Sequence, residues 1–150
     1  MIKSLSKLYV HAILHVKNNN CTIRPEDELR FYAFINGVLI LNESSLIVIN
    51  GTENHIHVLC VVSKNISTAN LLEDIMEDTR RWTKSLDIHY QNFEWQNDYC
   101  CYSVSKSRLK NVQKFIEDQK EIHKTQTFED EYRQFLNENE IDYKEEYLWS

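Results

Sequence analysis

The stretch SLIVINGTENHIHVLCVV, residues 45–62, is two runs of apolar and β-branched residues around a short polar turn. Ser45–Asn50 and His55–Val62 read as strands, and Gly51 in the turn makes them an antiparallel hairpin. Residues two apart on a strand share a face. His55 and His57 therefore stand side by side, with Ile56 turned to the opposite layer. Two imidazoles on one face suit a divalent ion, which then needs further carboxylate or amide oxygens. The alternative is a pair of polar residues on a solvent-facing strand.

Upstream of the hairpin, Leu8–Lys17 (LYVHAILHVK) reads as a central strand closed by Asn18–Asn20. Pro25 followed by Glu26, Asp27 and Glu28 starts a helix, with proline in the first turn and acids against the helix dipole. It runs through Phe31, Phe34 and Ile35 to about Leu41. Phe31, Phe34 and the early strand are candidates for a subunit interface or for core. Downstream, Thr68 can cap a helix through Leu71, Leu72, Ile75, Thr79 and Trp82. Trp95–Val104 reads as a loop and a short strand. Ser105 or Ser107 caps a further helix, on which Leu109, Val112, Ile116, Gln119 and His123 share one face. Thr127 starts another helix to about Asn139. The acidic end, from Ile141, carries Tyr143, Tyr147, Leu148 and Trp149, apolar residues that predict docking. The order β-α-β-β-α-β-α predicts an α+β sandwich, helices on a mostly antiparallel sheet. One domain over 1–150 is expected, with an acidic helical C-terminal extension from about residue 126.

Composition removes several chemistries. Among 150 residues there are only two glycines, Gly37 and Gly51, and one proline. A phosphate-cradling loop or a dinucleotide fingerprint needs glycines clustered within one turn, so neither can be present. No secretory signal and no long apolar run is visible, so no membrane partner is expected. Cys21, Cys60, Cys100 and Cys101 lack metal-ligand spacing and read as free thiols of a reducing cytoplasm. The net charge of -6 argues against nucleic acid only until it is located. Residues 1–113 hold 12 basic and 12 acidic residues, whereas residues 114–150 hold 5 and 11. The body is neutral and can own a basic face.

N-H-I-H-V-L at Asn54–Leu59 resembles the HUH motif, histidine-hydrophobic-histidine. Four further segments extend the likeness: Y-V-H at Tyr9–His11, R-R-W at Arg80–Trp82, FEWQNDYCCYSVSKS at Phe93–Ser107, and FIEDQ at Phe115–Gln119 followed by TFEDEYRQFL at Thr127–Leu136. In this order they make the chain similar to the single-tyrosine HUH transposases of insertion sequences, the IS200-like class. The resemblance implies a ferredoxin-like fold and a DNA transposition function. Such proteins bind single-stranded hairpin DNA ends, cut and rejoin strands through a phosphotyrosine, and use a divalent metal, Mg or Mn. It also implies a homodimer working in the cytoplasm, on nucleoid DNA.

Carried over by position, His55, His57 and Gln119 are the metal ligands. Phe115 stands where the family has its nucleophilic tyrosine, four residues before the glutamine and so on the same helix face. Phenylalanine has no hydroxyl, so strand cleavage is expected to be impaired. Tyr99 and Tyr102 are the only nearby substitutes, and they reach the site only if their strand lies beside His55 and His57. Lys17, Arg80, Arg81 and Lys84 are the candidate DNA contacts. Glu73, Asp74, Glu77 and Asp78 on the same helix as the arginines oppose phosphate binding. The alternative function is a non-catalytic, DNA-binding or regulatory remnant of a mobile element.

Overall fold

The computed structural model describes residues 2–19 and 21–149. Four strands, β1 (Leu8–His15), β2 (Ser45–Thr52), β3 (His55–Val62) and β4 (Cys100–Ser103), form one sheet in the order β2-β3-β1-β4. Every pairing is antiparallel. Between them run α1 (Glu28–Leu41) and α2 (Thr68–Leu86). This βαββαβ arrangement is the ferredoxin-like α+β sandwich that the sequence predicts. After β4 come α3 (Leu109–Glu117), α4 (Gln119–Ile122), α5 (Phe128–Glu138) and α6 (Glu145–Leu148). Among the described residues no helix is long and apolar enough to cross a membrane.

The sheet is covered on both faces, which is why β1 reads as an unbroken apolar run rather than an alternating one. On one face Val10, Ala12, Leu14, Ile56, Val58 and Cys60 form the larger core with Phe31, Ile35 and Leu39 of α1 and Leu71, Leu72 and Ile75 of α2. The other face carries His11, Ile13, His15, His55, His57 and Leu59, all buried. There Ile13 and Cys100 pack with Phe128, Tyr132 and Leu136 of α5 and with Leu148. Leu59 packs with Val104 and Ile116.

Several local expectations change. Ser67, not Thr68, caps α2, its hydroxyl accepting from the Asn70 N–H at 3.0 Å. Ser105 holds the N-cap position of a short 3-10 turn, Lys106–Arg108, but its hydroxyl caps no backbone N–H and instead bonds that of Ser107 within the turn at 3.1 Å. The helix expected through His123 is interrupted at Asp118, whose ψ of 9° leaves the helical range. Gln119 is nevertheless buried, as is Ile116, so the apolar face survives the interruption. Phe31 is fully buried and β1 is the sheet's interior strand, so neither offers a subunit interface. Thr127 caps α5 as expected, accepting from the Asp130 N–H at 3.2 Å. The acidic end docks through Leu148 and Trp149, while Tyr147 remains exposed.

Gly51, expected in the turn, lies inside β2 opposite Ile56, with the turn at Glu53 and Asn54, and so runs against the backbone of the histidine strand. A Cβ there would lie 2.0 Å from the His55 carbonyl oxygen and 2.7 Å from the Ile56 Cα. Gly51→Ala is therefore expected to cost about 2–3 kcal/mol in urea unfolding, because backbone cannot yield as a side chain would. An unchanged midpoint would contradict this packing.

Candidate metal centre

The hairpin register sets His55 and His57 on the sheet face away from α1 and α2, and antiparallel pairing adds two more histidines beside them. His15 lies opposite His55 across β1, and His11 follows Tyr9 on the same face. The His55 Nδ1 lies 2.8 Å from Asn54 Oδ1 and 3.0 Å from Thr52 Oγ1. The His57 Nδ1 lies 2.8 Å from His11 Nε2. Engaging both Nδ1 atoms from behind turns both Nε2 atoms toward one point, the orientation that metal-ligating histidines take from their outer partners.

Two oxygens meet them there. Gln119 Oε1 is 2.8 Å from His55 Nε2. Glu131 Oε1 is 2.7 Å from His57 Nε2 and 3.8 Å from His55 Nε2. The ligand atoms of His55, His57 and Glu131 all lie within 4.8 Å of one another. Two imidazole nitrogens with carboxylate and amide oxygens form a donor set that fits a divalent ion. His55, His57 and Gln119 are thus brought together as expected.

Glu131 is the residue that sequence reading missed. It sits in Glu129-Asp130-Glu131, a run that serves as N-terminal helix charge, and only packing separates the buried acid from half-buried Glu129 and exposed Asp130. Its Oε2 accepts from His123 Nε2 at 2.9 Å and from Gln119 Nε2 at 3.2 Å. The other nitrogen of His123 faces the Gln126 carbonyl at 2.8 Å. An acceptor at each nitrogen favours the protonated ring of His123. Its pKa accordingly rises, because the Glu131 carboxylate outweighs the opposing effect of burial. Burial alone would raise the Glu131 carboxyl. The bonds from His123 and His57 prevail and hold it well below the usual carboxylate range. His55 and His11 go the other way, pushed well down by desolvation first and by the neighbouring His57 second.

The centre is closed. His55, His57 and Gln119 are 0% exposed and Glu131 is 1% exposed. Phe128 stacks on His55 with ring centroids 4.1 Å apart. Phe115 stands on α3 with its ring 5.5 Å from that of His57, edge to face, and 5.2 Å from Phe135 of α5. Tyr102 does not take the place of a missing hydroxyl beside the ligands. Its strand is separated from β3 by β1, and its oxygen lies 2.5 Å from His11 Nδ1, behind His57. Burial also raises its pKa, which makes the phenol a poorer nucleophile. Tyr99 packs against the core on the opposite face.

The candidate DNA contacts fall elsewhere. Arg80, Arg81 and Lys84 lie on α2, across the sheet from the centre. Arg80 pairs with Glu77 at 2.8 Å, Arg81 pairs with Asp78 at 2.6 Å, and Lys84 donates to the Phe93 carbonyl at 2.7 Å. Lys17 follows β1 and is half-buried. Lys106, Arg108 and Lys110, leading into α3, are exposed and have no ion pair among the described residues.

Residues 4–119 match the sequence profile of the family described as "Transposase IS200 like". No curated protein matches the chain. Among solved structures it is similar to a protein of Deinococcus radiodurans R1 described as a candidate transposase, with 19% identity and a TM-score of 0.61. That match covers 79% of this chain and 98% of the other. It is also similar to a REP-associated tyrosine transposase bound to a REP hairpin, with 10% identity and a TM-score of 0.63. This second match covers 82% of this chain and 73% of the other. At these identities the structural likeness concerns the fold.

Proposed function

Since the chain belongs to the IS200-like transposase family, we propose that it binds single-stranded, hairpin-forming DNA and has lost the strand-cleaving step of its relatives. The observation that carries this reading is Phe115. It stands beside His57 and four residues before Gln119, where the family's nucleophile is expected, and it offers a ring edge in place of a hydroxyl. No shift of pKa can supply a missing oxygen atom, so the phosphotyrosine cannot form at this position.

The donor set supports a divalent ion, Mg or Mn, held by His55, His57 and Gln119. When bound, such an ion supplies charge stabilisation to phosphoryl oxygens. Our reading retains the ion without the nucleophile and so favours a non-catalytic, DNA-binding or regulatory remnant of a mobile element. The hairpin-bound relative supports DNA as the partner. Lys106, Arg108 and Lys110 are an exposed basic group with no ion pair among the described residues, whereas Arg80 and Arg81 are occupied by their own acids. A cytoplasmic place on nucleoid DNA and a homodimer belong to the same reading. The free state of Cys21, Cys60, Cys100 and Cys101 supports the reducing compartment.

Incubation with terminal-hairpin oligonucleotides and Mg2+ or Mn2+ tests both halves. Retarded migration that weakens with salt is expected, and no protein–DNA adduct should survive denaturing electrophoresis. An adduct would show cleavage and overturn the loss of chemistry. Absence of retardation at low salt would overturn the binding.

A further inference from the structure

We infer that Glu131 is itself a ligand of the histidine-pair centre, so that a divalent ion there clamps α5 to the sheet and shuts the centre to DNA. This rests on the reading of His55, His57 and Gln119 as a metal centre and changes what the ion does. Residues 4–119 match the family, whereas Glu131 lies beyond that match, in the acidic helix that folds back over the site.

Three observations point the same way. First, the carboxylate is aimed. Its Oε2 is taken by His123 and Gln119, which leaves Oε1 turned to the two Nε2 atoms at 2.7 and 3.8 Å. Second, the donors come entirely from protein. Two imidazoles, one amide oxygen and one carboxylate oxygen give an octahedral Mg2+ or Mn2+ one protein donor more than the two histidines and the glutamine supply. Third, α5 covers the approach along the sheet face. Phe128 stacks on His55, and Phe135 lies edge-on to both His57 and Phe115.

A DNA phosphate can reach the histidines only if α5 lifts, and lifting removes Glu131 from the ion. An ion that binds more tightly to the docked state stabilises docking by the difference in its binding free energies. By reciprocity, DNA that requires the open state then competes with the ion. Metal and DNA, which cooperate at an open site, become antagonists here.

The test uses the full chain and Mn2+ as the probe, comparing wild type with Glu131→Gln. That replacement keeps the shape and one acceptor but removes the charge. Mn2+ binding is followed by the electron paramagnetic resonance of the free ion, α5 docking by amide hydrogen exchange over 128–138, and hairpin oligonucleotide affinity by titration with and without Mn2+. We expect wild type to bind Mn2+, to slow α5 exchange at least about tenfold, and to bind the hairpin at least about threefold more weakly when Mn2+ is present. Glu131→Gln should bind Mn2+ at least about tenfold more weakly and lose both effects. Equal Mn2+ affinity in the two proteins, or α5 exchange that ignores Mn2+ in wild type, overturns Glu131 as the clamp. If neither protein binds Mn2+, the underlying metal-centre reading falls and takes the clamp with it, a distinguishable result. Should Glu131→Gln fail to fold by circular dichroism, the wild-type exchange experiment decides alone.

Discussion

Glu131→Ala is expected to lower the free energy of unfolding by about 3 kcal/mol, measured by urea denaturation at pH 7. The residue is 1% exposed and its two oxygens serve three side chains: His57 at 2.7 Å, His123 at 2.9 Å and Gln119 at 3.2 Å. Alanine takes the acceptor from His123 Nε2 and strands the amide of Gln119. An unpartnered buried donor costs about 1–3 kcal/mol and a broken buried ion pair more. Glu131→Gln should cost less, because it retains an acceptor toward the histidines and forfeits mainly the pairing with His123. A ΔΔG under about 0.5 kcal/mol for alanine, the usual range of an exposed surface change, would mean that α5 does not hold this carboxylate in the sheet face.

Stability should fall steeply between pH 6.5 and 4, with His15 as the residue that can be isolated. Burial pushes its imidazole down to about 4 from an ordinary 6.5. Inside that window the unfolded chain binds a proton that the folded chain refuses. His15 therefore contributes fully above pH 6.5, and its contribution drains away as pH falls toward 4. The whole interval is worth about 3 kcal/mol. His11 and His55, also lowered by burial, act with the same sign. His123 acts with the opposite sign: its raised pKa favours the folded state in acid, and that contribution disappears as pH rises through the folded value. Glu131, held low, contributes above the ordinary carboxyl pKa and loses that contribution only in stronger acid. The His15 Nε2 is buried without a hydrogen-bond partner among the described residues, so His15→Leu gives up no bond there. The variant should be more stable than wild type at pH 5 and show a shallower pH slope between 6.5 and 4. Parallel slopes in urea titrations across that range would refute the assignment.

These two residues also mark what a linear reading of the chain can see. His15 lies in an apolar run that reads only as strand, and His11 enters only through the Y-V-H likeness, with no role assigned. Once β1 is known to pair antiparallel with β3, alternation puts both on the face of His55 and His57. Their partners follow from register, and register follows from which face each strand buries. Gln119 is singled out by the family resemblance, and its Oε1 lies 2.8 Å from His55 Nε2 even though the helix is broken at Asp118 between it and Phe115. The arginines of α2 illustrate the opposite outcome. Nothing in their spacing reveals that α2 packs on the far face of the sheet, where Glu77 and Asp78 claim them.

The sequence by itself determined the βαββαβ order, the shared face of His55 and His57, and the absence of a hydroxyl at Phe115. Each depends on short-range periodicity or on the identity of one side chain. Only the tertiary structure decided that the acidic C-terminal helix folds back over those histidines and that Glu131, among three consecutive acids, is the one buried against them. Helix-end charge is the same for all three. What singles out Glu131 is the direction in which packing of Phe128, Tyr132 and Leu136 against the sheet turns the helix, and no local pattern encodes the surface it lands on.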